Sequence, residues 1–375
     1  MWYQRSQISW FQSGNRNTRF SMPEQPPVTR KTSLQVVCWI PMEFGKRKSI
    51  KWKRLWLTTT RIYFALVGLL SSSSYWMQFN LKSPDPWIKC LLTRDFQGNE
   101  VCMALKQMYP LKSPSPNGMP PLFFQHFWLT IGNMVTKMVL DFLNFGIAPP
   151  MFNDTHIALI SKNKDPKSIF YYHLISLCNV IFKIASKVIA NRLKKVLPYI
   201  ISDTQSAFIH KRLIIDNVLV AFEAMHHINQ KKVRKKGEMA LNLDMSKAYD
   251  RVEWICLDNM EKLGIDLRWR SLIMRCVTTI SYSFRISGKV CGSIQPLKGI
   301  HQGGPLSPYS FLIVAKGLSS LIKIFVADKN LEGIAVCQGE PKLSQLFFAD
   351  DSLLQSYHLK MWFFAANHPS VWSNI

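Results

Sequence analysis

"LSQLFFADDSLLQS", Leu343 to Ser356, sets two short apolar runs on either side of Asp350 and Asp351. Runs of this length read as strands. The two carboxylates therefore sit where one strand gives way to the next. Adjacent like charges repel, and a cation is the natural relief. Hard carboxylate oxygens suit Mg2+, which completes its shell with water and substrate phosphates. Taken alone, "ADD" reads as a surface turn, where Asp is common. The rest of the chain decides between these readings.

A third carboxylate closes a similar run. In "LNLDMSKAYDRVEW" (Leu241 to Trp254), a strand over Met239–Asp244 alternates with period two. Ala240, Asn242 and Asp244 fall on one face, and Met239, Leu241 and Leu243 on the other. Three carboxylates on adjacent strands can hold two metal ions and stabilise both oxygens of an in-line phosphoryl transfer. Read singly, Asp244 is a strand-end cap and Asp250 a helix-surface charge; the combination carries the chemistry. An amphipathic helix follows, with Val252, Ile255, Met260 and Leu263 inward and Gly264 as its stop. A hairpin-like segment, Phe284 to Gln295, leads into "KGIHQGGPLSPYSF" (Lys298 to Phe311). There Ser307 is expected to cap a helix whose first residue is Pro308 and which buries Phe311, Ala315, Leu318 and Ile322.

Upstream, Phe127 to Phe145 has helical periodicity, and "THIALISK" (Thr155 to Lys162) alternates as a strand ending in Lys162. A longer helix is expected over Asn179 to Leu197, ended by Pro198. Ile181, Ile184 and Val188 lie on one side of it; Lys183, Lys187 and Lys194 lie on another, as a solvated face or a phosphate track. Another helix spans about Ile214 to Asn229, before a charged turn at Lys231 to Glu238. The first hundred residues read irregularly. They hold a Pro-rich linker (Met22 to Lys31), a basic stretch with interleaved Trp (Phe44 to Trp56) and a serine run (Ser71 to Ser74). The basic stretch could grip phosphates and stack bases, but a solvated segment is the plainer reading.

The chain has 375 residues, nearly half of them apolar, enough for one large domain or two smaller ones. Lys and Arg number 47 against 23 Asp and Glu, a formal net charge of +24. That excess points to a polyanionic partner. The eight cysteines form no CxxC pair and read as buried thiols in a reducing compartment. The longest apolar run, Ile62 to Leu70, is too short to span a bilayer. The N-terminus lacks the apolar region of a signal peptide. An intracellular protein of the nucleus or cytoplasm, without membrane contact, is the expectation.

"FADD" (Phe348 to Asp351), "LDMSKAYDRVEW" (Leu243 to Trp254) and "QGGPLSP" (Gln302 to Pro308) together resemble the catalytic motifs of reverse transcriptases, in that family's order. The nearest resemblance is to plant LINE-type non-LTR retrotransposons. "PPLFFQHFW" (Pro120 to Trp128), "ISLCNVIFKIASKVIANRLK" (Ile175 to Lys194) and "IISDTQSAFIHKRLIIDN" (Ile200 to Asn217) are similar to its finger region. "QRSQISWFQSGNRNTRF" (Gln4 to Phe20) resembles the segment between its endonuclease and polymerase domains. The resemblance implies an α+β right-hand polymerase, with a small antiparallel palm sheet packed on helices, a mostly helical fingers region, and no thumb. The domains implied are a poorly ordered linker-like region at 1–95, fingers and palm at 96–356, and an unmatched tail at 357–375. Asp244, Asp350 and Asp351 would be the catalytic metal ligands, for two Mg2+ or Mn2+ in their place. Tyr249 would exclude a 2′-hydroxyl, and Gln302, Met245 and Lys162 would contact the incoming nucleotide. Partners would be an RNA template, a DNA primer and deoxynucleoside triphosphates; protein partners are left open.

The chain also departs from the pattern it resembles. "SPSPNG" (Ser113 to Gly118) stands for "APGPDG", and "YYHLISL" (Tyr171 to Leu177) for "DYRPISL", with His173 in place of Arg. "HQGGPLSP" stands for "RQGDPLSP", with His301 for Arg and Gly304 for Asp, and "HKRLI" (His210 to Ile214) for "PGRLI". Losing a fixed guanidinium fork weakens a triphosphate contact, and Gly304 is expected to loosen its loop. With no room for a thumb after Ser356 and no endonuclease before residue 1, a truncated, degenerate copy is expected. The alternative function is thus a catalytically dead nucleic-acid-binding remnant or pseudogene product.

Overall fold

The computed structural model describes residues 35–39, 85–112, 114–168, 171–230, 239–244, 248–258, 260, 265–286, 289–329, 331–335, 342–349 and 351–356. The content is mixed α and β. Two four-stranded sheets are present among these residues.

The first sheet runs β1-β4-β8-β7, antiparallel throughout: β1 (Gln35–Trp39), β4 (Met239–Asp244), β8 (Asp351–Ser356) and β7 (Gln345–Phe348). Strand β4 occupies the span its alternation predicts. The two apolar runs flanking the paired Asp residues are β7 and β8. The sequence reading passed over β1, although "QVVCW" is rich in the β-branched and aromatic residues that favour strands. The second sheet runs β3-β2-β5-β6: β3 (Tyr172–Cys178), β2 (Asp154–Ser161), β5 (Ser281–Ile286) and β6 (Lys289–Ile294). Its β2–β5 pair is parallel and the other two are antiparallel.

Helices α1 (Pro86–Thr93), α2 (Gly98–Lys106), α3 (Pro121–His126) and α4 (Trp128–Leu140, followed by a π-turn over Asp141–Phe145) precede β2. Ile88 and Leu92 of α1 are buried in the same core as the later helices. Ordered structure therefore begins ahead of residue 96. The centre of the core is α5 (Val180–Ile200), which packs against α1, α2, α4 and α9 (Ser307–Ala327). Asn179 caps α5 by accepting a hydrogen bond from the Ile181 N–H at 2.9 Å.

Two expectations for α5 are corrected. Pro198 lies inside its last turn and the helix continues to Ile200. Near a C-terminus the ring disturbs one turn, and the chain stops soon after. Lys183 is 2 % exposed, so it does not belong to a solvated face. Helices on several sides of α5 leave no wide polar stripe.

Between α6 (Ile214–Gln230) and β5 lie a 3-10 turn (Ala248–Arg251), α7 (Trp254–Asp258) and α8 (Leu267–Thr278). The expected helix from Val252 is broken into shorter pieces. Val252 and Met260 are buried, but Ile255 is exposed, because α7 turns Cys256 and Leu257 inward instead. Leu263 and Gly264 lie outside the described residues. Helix α9 buries Phe311, Ala315, Leu318 and Ile322, as its periodicity predicts. Its N-cap is Leu306, not Ser307; the Ser307 hydroxyl donates to the His301 carbonyl instead. By length and composition α9 could cross a membrane, unlike any run weighed in the sequence. Most of it is buried inside the fold, as in a core helix.

Candidate active site

Strand β8 pairs on both edges. Asp351 stands opposite Asp244 of β4 on one side and opposite Phe348 of β7 on the other. Directly opposed positions in an antiparallel pair share a face, about 4.5–5.5 Å apart at Cβ. The fold thus brings together two carboxylate positions that lie far apart in sequence. Between Phe348 and Asp351 the chain has only Ala349 and Asp350, a two-residue connection. Ala349 has φ +51°, in the left-handed region that tight hairpin connections demand. Asp350 and Met245 lie outside the described residues, and only Asp351 of the acidic trio has a described side chain, half-buried. Among the described residues no three His, Cys, Asp or Glu side chains form a metal-holding group. The register sets the positions of Asp244 and Asp351 opposite one another at one end of the sheet, and carboxylate oxygens are donors that suit a hard divalent cation.

A segment that sequence reasoning did not assign to the site holds this hairpin in place. The Phe347 N–H donates to the Thr204 carbonyl at 2.8 Å, and the Phe347 carbonyl accepts from the Ser206 N–H at 3.3 Å. Asn217 of α6 donates from Nδ2 to the Phe347 carbonyl at 2.8 Å. Gln205, 3 % exposed, accepts at Oε1 from the N–H groups of Ala207 (3.0 Å) and Ala349 (3.2 Å). One amide oxygen thus ties the hairpin connection to the segment preceding α6. In the sequence, Gln205 and Asn217 stand only in a stretch similar to the family's finger region. Nothing in periodicity linked them to the acids.

Tyr249 sits in the 3-10 turn just after β4. Its ring stacks on Phe311 of α9, centroids 5.5 Å apart and planes 17° from parallel. The Tyr249 carbonyl accepts from the Ile300 N–H at 2.8 Å, and the Val252 carbonyl from the Gly299 N–H at 2.7 Å. Gln302 donates from Nε2 to Asp250 Oδ1 at 2.9 Å. Gly299 has φ +92°, and a Cβ there would lie 3.0 Å from the Asp250 carbonyl oxygen. A glycine is therefore needed for the close approach of these two loops. Asp250, a surface charge as its sequence position predicts, thus links Gln302 to the turn that carries Tyr249. Asp250, Gln302, Tyr282 and Lys298 line a cavity of about 250 Å3. Lys162 follows β2, exposed, its N–H donating to the Tyr171 carbonyl at 2.7 Å. Lys162 is not among the residues that line the Asp250–Gln302 cavity, whose β2 member is Ile157.

The position where the resembled pattern has Arg holds His301, buried and stacked against Tyr282, planes 18° apart. Burial, and secondarily the Lys183 charge, pull its pKa down to about 4, so the ring is neutral at pH 7. Gly304 is not the loose point expected. A Cβ there would meet Ser307 Oγ at 3.1 Å and His301 Cδ2 at 3.3 Å, so the loop is tightly packed.

The reverse transcriptase (RNA-dependent DNA polymerase) family matches residues 161–366, just over half of the chain, from the last residue of β2 to beyond β8. The transposon TX1 uncharacterized 149 kDa protein of Xenopus laevis is 26% identical over 264 residues, covering 70% of this chain and 19% of that protein. A retrovirus-related Pol polyprotein from a type-1 retrotransposable element R2 of Nasonia vitripennis is 25% identical, covering 60% of this chain and 21% of that protein. An uncharacterized mitochondrial protein of Arabidopsis thaliana is 39% identical over 69 residues, 18% of this chain and 57% of that protein. Among solved structures, a chain of a partial Cas6-RT-Cas1--Cas2 complex aligns at 14% identity with a TM-score of 0.36, covering 72% of this chain and 38% of that chain. This chain spans about a fifth of the length of the TX1 and R2 relatives. It belongs to the reverse transcriptase (RNA-dependent DNA polymerase) family.

Proposed function

We propose that this chain is the RNA-directed DNA polymerase domain of a non-LTR retrotransposon, with residues 96–356 as its fingers and palm. The observation that carries the reading is the cross-strand pairing of Asp244 with Asp351 beside the two-residue connection that contains Asp350. In this reading Asp244, Asp350 and Asp351 hold two Mg2+ ions. When bound, the ions supply Lewis-acid stabilisation of the attacking 3′-oxygen and the departing pyrophosphate. The chain's own residues supply position. Tyr249, its ring fixed against Phe311, closes the space beneath the sugar so that a 2′-hydroxyl does not fit. Gln302, oriented by Asp250, and Met245 flank the incoming nucleotide. Lys162 meets phosphate from the end of β2. The substrates are an RNA template, a DNA primer and deoxynucleoside triphosphates.

Primer extension on an RNA template with Mg2+ tests the proposal. The expected result is deoxynucleotide incorporation that falls at least about 100-fold in Asp351→Asn, with the circular-dichroism spectrum unchanged. Tyr249→Ala is expected to admit ribonucleotides. A folded wild-type chain that binds primer–template but incorporates nothing would replace this reading with a binding remnant.

A further inference from the structure

A cleft of about 970 Å3 shares no lining residue with the cavity beside Asp250 and Gln302. It opens between α1, α2 and α5 and reaches the segment before α6. Its walls are strongly basic. Lys187, Lys194 and Lys195 enter it from α5, and Lys211 from the following segment. The carboxylate lining it, Glu100, is already held by Arg192 at 2.7 Å and lies 3.7 Å from Arg94. None of the four lysines has an ion-pair partner among the described residues. Burial, then repulsion from Lys194, pushes the Lys187 ammonium below the usual lysine range. An anion in the cleft would relieve that repulsion.

Two further features narrow the ligand. Trp87 and Tyr199 line the same cleft as an edge-to-face pair, 5.0 Å apart and 77° between planes. They are 43% and 65% exposed, large ring surfaces left to water beside a row of cations. Lys211 is held at φ +65°, a left-handed conformation unfavourable for a side-chain-bearing residue. Such strain collects at functional positions. Aromatic faces beside a positive groove suit unpaired bases on a phosphate chain; a duplex keeps its bases stacked within.

We propose that this cleft is a second nucleic-acid site, which grips a single strand outside the polymerising centre: lysines on the phosphates, Trp87 and Tyr199 on the bases. That the polyanion is nucleic acid rests on the proposed function; the cleft's charge and aromatic pair do not.

The test is fluorescence anisotropy of the full chain with labelled 20-nucleotide oligo(U), oligo(dT) and a duplex of equal length, over a KCl series. Replacing Lys187, Lys194, Lys195 and Lys211 by Ala should weaken oligo(U) or oligo(dT) binding about tenfold or more. It should also flatten the slope of log K against log[KCl] by about 0.7 per lost phosphate contact. Trp87→Ala with Tyr199→Ala should weaken binding about fivefold or more at unchanged slope. Tighter binding of oligo(U) would assign the strand to RNA, and equal or tighter binding of oligo(dT) to DNA. The proposal is overturned if the folded lysine variant keeps wild-type affinity and slope. It is also overturned if the duplex binds as well as the single strands, or if the aromatic variant binds like wild type, which would leave only a diffuse polyanion surface. Failure of the polymerase reading looks different. The lysine variant should still extend a pre-annealed short primer–template at saturating concentration, whereas Asp351→Asn should lose extension and keep oligonucleotide binding.

Discussion

Around Arg192, on α5, every polar demand is met; beneath the acidic hairpin many are not. The guanidinium is 2 % exposed and uses all five donors: on both Glu100 carboxylate oxygens and on the carbonyls of Leu91, Arg94 and Asp95. It also lies 3.8 Å over the Phe96 ring. Under the hairpin, Gln205 Nε2, Gln345 Oε1, Ser206 Oγ and Ser352 Oγ are buried without a hydrogen-bond partner among the described residues. Native folds leave few such groups. The first neighbourhood is built for rigidity: it locks α1, α2 and the loop between them onto α5. The second gives up satisfaction in a place where strands, a left-handed residue and carboxylates must meet in one geometry. Violations of local rules gather where function competes with stability.

Substitutions can break this contrast. The largest stability effect is expected from Arg192→Met, which leaves Glu100 and three carbonyls without their partner. A loss of about 3–5 kcal/mol is expected, read as a lower urea midpoint at unchanged m-value. Next is Gln205→Leu. It strips the Ala207 and Ala349 N–H groups of their acceptor but removes an unpaired amide nitrogen, so the stability cost is smaller, about 1–3 kcal/mol. Its mark is functional: primer extension should fall about tenfold or more, as when a group supporting metal ligands is lost. If Arg192→Met harms extension more than Gln205→Leu at equal folded fraction, the division between scaffold and site is wrong.

The third test uses pH. His301 has a folded pKa of about 4, against about 6.5 unfolded. Burial disfavours its charged form, so its stabilising contribution is complete above pH 6.5 and is lost as pH falls from there toward 4. Wild type should lose about 2 kcal/mol between pH 7.5 and 5 through this residue, and His301→Phe should not. Equal pH dependence of the two urea midpoints would remove the assignment. The smallest effect belongs to Lys316, 8% exposed, whose Nζ donates to Ser202 Oγ at 3.2 Å. Burial and the nearby Lys323 lower its pKa to about 8, so its ammonium is held charged at pH 7 at a cost to the fold. Lys316→Met should therefore be more stable than wild type at pH 7, by about 1 kcal/mol. The gain should shrink as pH rises through 8 toward 10.5.

Much of the candidate site was legible because it is written in short-range pattern. Period-two alternation gave β4, two short apolar runs gave β7 and β8, and the position of the acids relative to strand ends followed. Asn179 announced the start of α5, and apolar spacing gave the buried face of α9. What could not be read depends on what surrounds each element. Lys183 looks like one of a solvated row until helices close around α5. Ser307 has the right chemistry for an N-cap, but it is itself the first residue of α9, and its hydroxyl donates to the His301 carbonyl. Ile255 fits an inward position only if the helix starts two residues earlier than it does. Gln205 reaches the hairpin across a gap of well over a hundred residues, and no local signal encodes that. The departures at His301 and Gly304 could be seen in the sequence, but their meaning could not. One removes a charge by burial, and the other fills a space with no room for a side chain.

The paired edges of β8 also set where this chain can tolerate a change of length. A residue gained or lost within β7 or β8 turns the positions on one side of the change to the opposite face of the sheet, so Asp351 cannot keep its register with both Asp244 and Phe348. An insertion in the charged stretch between α6 and β4 shifts no register in this sheet. Relatives should therefore differ freely in loop length yet keep the spacing through this hairpin fixed.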